Sequence, residues 1–205
     1  MISIVTITRN RKRKQKISSP SPMTDDDPSR DATAMLGLLK SDEEKLEEQT
    51  KVLVKNRKDY ARRVFSTNVD NWTPFHAFAL KGCRKLVKFA LKVGVDVNLQ
   101  MGEPEGVPGK CSALHLAAHR GDVSIIEVLL QNGANINQLG SSDKTPIYYA
   151  SISNNTLAVK TLKRAGADTS QVEDNELPQR STRSGANPFN LVLPFICTGK
   201  QSSFT

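Results

Sequence analysis

"SALHLAAHRGDVSIIEVLLQNGANIN", residues 112 to 137, places His115 and His119 four positions apart. On a helix that is one turn, so both rings project from one face, which is how a zinc-ligand pair is built. The zinc-hydrolase pattern is H-E-x-x-H with the glutamate as base. Here the string is H-L-A-A-H, with no glutamate and no third ligand nearby. The stretch reads better as architecture. Ala117 and Ala118 suit a short, closely packed helix, and Gly121 interrupts it. Ile125, Ile126, Leu129 and Leu130 then recur at helical spacing, and Gly133 ends the second helix.

The same design appears on both sides. "TPFHAFALKG" begins at Thr73, "SALHLAAHRG" at Ser112 and "TPIYYASISN" at Thr145. Gly94, Gly133 and Gly166 each follow the opening Thr or Ser by 21 residues, and open the triplets "GVD", "GAN" and "GAD". Pro74 and Pro146 fix φ in the first helical turn. Ala77, Ala79, Ala150 and Ser151 repeat the small-residue pattern. Leu86, Val87, Phe89 and Leu91, and later Leu157, Val159 and Leu162, repeat the apolar stripe. Such stripes are buried only against neighbouring copies, the logic of a solenoid.

This pattern resembles the ankyrin repeat over about residues 68 to 171. The resemblance implies an all-α solenoid of helix-turn-helix repeats with β-hairpin finger loops, in copies at 68–100, 107–140 and 141–171. Asn71, Lys110 and Asp143 stand where the family has Gly two before Thr, Asn154 replaces the inter-helix Gly, and Tyr148 replaces the third His. Asn and Asp tolerate the left-handed region more readily than Lys. Thr73 and Ser112 are 39 apart against 33 for Ser112 and Thr145, so six extra residues sit in the Pro/Gly-rich finger "QMGEPEGVPGK". By resemblance, His76 and His115 occupy the turn-linking position, where the ring bonds to backbone. His119 is at a variable, outward one. Asn98 and Asn137 match asparagines that are sometimes hydroxylated, and bracing of the finger is the competing role.

Three repeats need capped ends. A helix is predicted from Ser41 to Phe65, with Ser41 as N-cap, Glu44 as its capping-box partner, and Leu46, Leu53, Tyr60 and Val64 as its apolar stripe. Residues 33–67 are the expected N-terminal cap. Residues 1–32, with "RNRKRKQK", "SSPSP" and "TDDDPSR", are expected to be disordered. Residues 172–205 read as an irregular tail. Its "NPFNLVLPFICTGK" resembles a fourth repeat opening broken by Pro194, which raises a truncated or alternatively spliced product as one reading. Asn187-Pro188-Phe189 also resembles the short ligand of EH domains.

Charge and cysteine usage bound the function. The net charge is +8 over 205 residues, and Arg9, Arg11, Lys12, Arg13, Lys14 and Lys16 supply six of those charges. What remains is 23 basic against 21 acidic residues, which argues against a broad, specific nucleic-acid face. Arg11 to Lys16 resembles a monopartite nuclear-import signal, implying importin as a partner. A polyanion-binding tail, or upstream sequence skipped by initiation at Met23, competes with that reading. Ser19-Pro20 and Ser21-Pro22 are candidate phosphosites beside it. Cys83, Cys111 and Cys197 are sparse and odd in number, as in a reducing compartment. No apolar run has the length of a membrane span, and the apolar "ISIVTI" precedes the charges, the reverse of a signal peptide. Cytoplasmic and/or nuclear residence is expected.

No phosphate loop, Gly-x-Ser-x-Gly or kinase signature is present, and no cofactor is implied. The resemblance instead implies a partner protein on the concave face. Mapped onto this chain, that face holds Trp72, Leu80, Lys81, Met101, Glu105, Lys110, Cys111, His119, Arg120, Lys144, Ile152 and Ser153. Trp72, Leu80, Met101 and Ile152 are apolar residues expected to be exposed there. For Trp72, packing on the 41–65 helix is the alternative. The leading expectation is a non-catalytic adaptor. The alternatives are an ankyrin-bearing fragment of a larger enzyme (kinase, phospholipase, acyltransferase or tankyrase-type polymerase) and a structural scaffold.

Overall fold

The computed structural model describes residues 27–104, 108–141 and 143–172, and all of its regular elements are helices. The basic run, the two Ser-Pro pairs, Glu105, Asn187-Pro188-Phe189 and Cys197 lie outside the described residues. Three helix pairs occupy the three repeat segments. They are α4 (Pro74–Lys81) with α5 (Arg84–Lys92), α6 (Ala113–Arg120) with α7 (Val123–Gln131), and α8 (Pro146–Ile152) with α9 (Thr156–Arg164).

The first helices of the pairs stack as one row, α4 on α6 on α8, and the second helices as another, α5 on α7 on α9. Ala77, Ala79, Ala117, Ala118 and Ala150 are fully buried, as close stacking of the short helices demands. Leu86, Val87, Ile125, Ile126, Leu129 and Leu162 supply the core between the rows. Leu157 departs from the expected stripe. It is 68% exposed, because α9 has no following helix among the described residues to cover it.

The N-terminal cap differs from a single helix. Three helices form it: α1 (Pro28–Ser41), α2 (Glu43–Asn56) and α3 (Lys58–Ser66). Helical structure thus starts at Pro28, inside the segment expected to be disordered, with the Asp27 carboxylate accepting from Ser29 N and Pro28 opening the helix. Ser41 is the last residue of α1. The cap of α2 is Asp42, which accepts from Lys45 N at 3.0 Å. Arg57 breaks the chain again with φ −141 and ψ 64. The predicted stripe survives both breaks, since Leu46, Leu53, Tyr60 and Val64 are buried. α1 joins α4 in the first row and α2 joins α5 in the second, while α3 packs on both α4 and α5. Phe65 meets Phe78 edge-on at 5.9 Å across that junction.

Left-handed residues terminate the helices where the sequence puts them. Gly94, Gly133 and Gly166 have φ of 88°, 86° and 94°, and the replacements Asn71, Lys110, Asp143 and Asn154 also lie at positive φ. Lys110, at 53°, holds the least suited side chain of the set.

Candidate protein-binding face

The histidines settle first. Backbone N–H of Ser112 donates to His115 Nδ1 at 3.1 Å, so that nitrogen carries a lone pair. Nε2, at 3.1 Å from the Lys144 carbonyl, must therefore carry the proton and donate across to the next repeat. His76 repeats the arrangement, with Nδ1 2.7 Å from Thr73 Oγ1 and Nε2 2.9 Å from the Leu99 carbonyl. Burial holds both rings neutral, with pKa lowered to about 4. The turn-linking role is what the geometry shows. Repeat three has Tyr148 at the corresponding place, and the side chain of Gln171 takes over, accepting from Thr145 N at 3.1 Å and donating to the Asp143 carbonyl at 2.7 Å.

His119 is not outward-facing. It is half-buried, its Nδ1 lies 2.5 Å from the Ser153 hydroxyl oxygen, and burial lowers its pKa to about 4. His119 and Ser153 thus tie α6 to the end of α8. Two further ties repeat along the stack. Arg120 donates to the Leu80 carbonyl at 3.2 Å and its guanidinium lies against Gly82, where a Cβ would come within 2.6 Å of Nε. Asn155 likewise covers Gly121 and donates to the His119 carbonyl. Glycine at 82 and 121 is therefore required twice, for positive φ and for this close approach.

Of the residues expected on the concave face, three are interior. Leu80 is 6% exposed, Met101 2% and Cys111 0%. For Met101 the backbone of the inserted finger accounts for it. Met101 N donates to the Cys111 carbonyl, Gly102 N to the Asn71 carbonyl, and Lys110 N to the Gly102 carbonyl, closing the loop and turning Met101 inward. Leu80, Met101, Cys111, Leu116 and Tyr149 form a second core, and half-buried Trp72 packs against it and not on the N-terminal cap. Lys81 is half-buried too. Its ammonium group donates to the Leu39 carbonyl in α1, clamping the cap to the first repeat.

The residues left open to solvent are Lys110, Arg120 and Ile152, the last 42% exposed, while Lys144 is half-buried. Lys110 lies 3.8 Å from Glu103, an exposed pair. Tyr148 is half-buried too, with the Lys144 ammonium 4.6 Å above its ring. The signal for that residue in the sequence is the replacement of His by Tyr in repeat three. The finger asparagines do brace: Asn98 Oδ1 accepts from Asn135 N at 2.7 Å, and Asn137 Oδ1 from Asp168 N at 2.8 Å. Among the described residues no group of three or more His, Cys, Asp or Glu converges.

The family model for ankyrin repeats (3 copies) matches residues 38–138 and 101–173. The chain belongs to the ankyrin-repeat family. Its similarity to curated proteins runs through the same region. It is 36% identical over 127 residues to the ADP-ribosylation factor GTPase-activating protein AGD4 of Arabidopsis thaliana, covering 60% of this chain and 16% of that protein. It is 42% identical over 64 residues to AGD2 of the same plant, covering 31% and 8%. A putative ankyrin repeat protein of Borreliella burgdorferi is 29% identical over 102 residues, covering 49% and 47%. The chain therefore spans under half the length of each of these relatives. Ankyrin repeats are protein-interaction modules and are generally non-catalytic; here the buried polar side chains of His76, His115 and Ser112 hold turns in place.

Proposed function

We propose that the chain is a non-catalytic adaptor that binds another protein on the side formed by its fingers and by α4, α6 and α8. The observation that carries this is the open surface of repeats two and three. There Ile152 is exposed, with exposed Arg120 and Lys110 nearby in the stack, and the Lys144–Tyr148 pair is half-buried, as are the neighbouring His119, Ser153 and Trp72. Exposed apolar area beside cations and a half-buried aromatic ring suits a partner segment that offers carboxylates around an apolar anchor. Because Trp72 belongs to a core cluster, its removal confounds stability with binding. Ile152→Glu with Lys144→Glu is the cleaner test. Partner recovery from cell extract should fall with helical content unchanged, and equal recovery would remove this face from consideration.

A second reading is favoured by the Arabidopsis relatives: an ankyrin segment of a longer ADP-ribosylation factor GTPase-activating protein. Transcript sequencing beyond residue 172 decides it, since a continuing frame into such a domain would displace the free-standing adaptor. Nuclear entry through Arg11, Lys12, Arg13, Lys14 and Lys16, with importin as carrier, rests on the sequence pattern. Fluorescent fusions with and without those five charges test it.

A further inference from the structure

The near-neutral balance after Lys16 hides a segregation. Residues 17 to 50 carry three Lys and Arg against nine Asp and Glu, whereas residues 51 to 92 carry eleven against two. The fold collects much of the excess on one surface. α5 buries Leu86, Val87 and Ala90 and leaves Arg84, Lys85, Lys88 and Lys92 exposed. Those four cations fall within one arc of about 100°, opposite the buried face.

Parallel packing of α2 on α5 sorts the charges further. Glu43 acts on Cys83 and Glu47 pairs with Lys85 at 2.9 Å, so positions along α2 track those along α5 in the same direction. The acids of α2 thus offset the start of α5. At the other end Lys55 closes α2, Lys58 opens α3, and Arg62 Cδ comes within 3.9 Å of where a Cβ of Gly94 would be, just past Lys92. Lys55, Lys58, Arg62, Lys88 and Lys92 are all exposed, and Asp59, 3.9 Å from Arg62, is an acid within this group. Helix C-termini favour cations in their last turns. That preference does not account for Lys58, which starts α3, or for Lys88 in mid-helix.

We propose that this outer surface, formed by the end of α2, α3 and α5, docks on an anionic lipid bilayer. The cations are spread over three helices, so they complement an extended charged plane better than one small anion. The exposed positions of α5 offer no Asn or Gln to read a base edge and no aromatic ring on which a base stacks. The exposed acids Asp42, Glu43, Glu44 and Glu48 lie at the start of α2, at the other end from Lys55, and this polarity along the helix favours one orientation on such a plane. The ends of α2 and α5, in the second row, and α3 carry this surface, whereas the fingers and first row carry the protein-binding face, so both can be engaged together. This inference stands independently of the proposed adaptor function.

Sedimentation of the full chain with vesicles tests it, using phosphatidylcholine alone and phosphatidylcholine with phosphatidylserine. Binding should require phosphatidylserine. The variant Arg62→Gln, Lys88→Gln, Lys92→Gln should bind on the order of a hundredfold more weakly, each cation contributing about fivefold. Lys160→Gln with Arg164→Gln on α9, which leaves both the surface and the N-terminal basic run intact, should bind as wild type. Equal binding to phosphatidylcholine alone, equal loss in both variants, or no loss in the first overturns the proposal. So does binding of a labelled DNA or RNA duplex at protein concentrations that leave the vesicles bare.

Discussion

Lowering the pH from 7.5 to 5 should destabilise the fold through His76 and His115. Both rings are fully buried, both use Nδ1 as acceptor and Nε2 as donor, and both have pKa lowered to about 4 from 6.5. Protonation would point a proton from His115 Nδ1 at the Ser112 N–H that now donates to it. Between pH 6.5 and 4 the unfolded chain binds protons that the native state refuses. The stabilisation is therefore complete above pH 6.5 and is lost as pH falls towards 4. By pH 5 each histidine forfeits about 2 kcal/mol, so the pair costs about 4 kcal/mol. That is a large part of the ~5–15 kcal/mol by which domains are stable. His119 acts with the same sign but is only half-buried, so the figure rests on the other two. Urea unfolding followed by circular dichroism at pH 7.5, 6.5, 5.5 and 5 measures the slope. His115→Gln should be less stable at neutral pH yet lose roughly half of the pH dependence. A urea midpoint that is unchanged between pH 7.5 and 5 would refute the reasoning.

Two other predictions concern the backbone and the C-terminal end of the stack. Gly133→Ala should cost about 1–2 kcal/mol through its φ of 86° alone, since an added Cβ meets nothing within 4 Å. Lys110→Gly, relieving a left-handed lysine, should raise the urea midpoint by up to about 1 kcal/mol, and unchanged midpoints for both would sink the argument from φ. Gln171→Ala strips the Thr145 N–H and the Asp143 carbonyl of their partner. About 1–3 kcal/mol is expected, together with faster amide exchange in α8 than in α4.

The repeat architecture was legible because its signals recur at fixed offsets: Thr-Pro openings, alanine pairs, apolar stripes and terminating glycines. The Ser41 N-cap prediction failed by one residue, since Asp42 is an equally good cap and neither Gly nor Pro marks the breaks at 42 and 57. α1 was missed because "DPSR", a sound helix start, sits in a Ser/Pro/Asp-rich stretch that composition alone reads as disorder. On the face, family position fixed which residues lie along the fingers but not which way they turn. Met101 and Leu80 join a core cluster with Cys111, Leu116 and Tyr149, and half-buried His119 meets Ser153 of the next repeat. Neither fact is visible without the neighbouring repeat. The basic surface escaped because net charge cancels along the sequence while the parallel packing of α2 and α5 separates the signs in space.

The central claim is that the open side of repeats two and three binds a protein. Tandem affinity purification with quantitative mass spectrometry, wild type beside Ile152→Glu with Lys144→Glu, tests it most directly. A stoichiometric partner should be lost from the variant while both proteins show the same circular dichroism spectrum and urea midpoint. The same partner retained at the same ratio by the variant would contradict it.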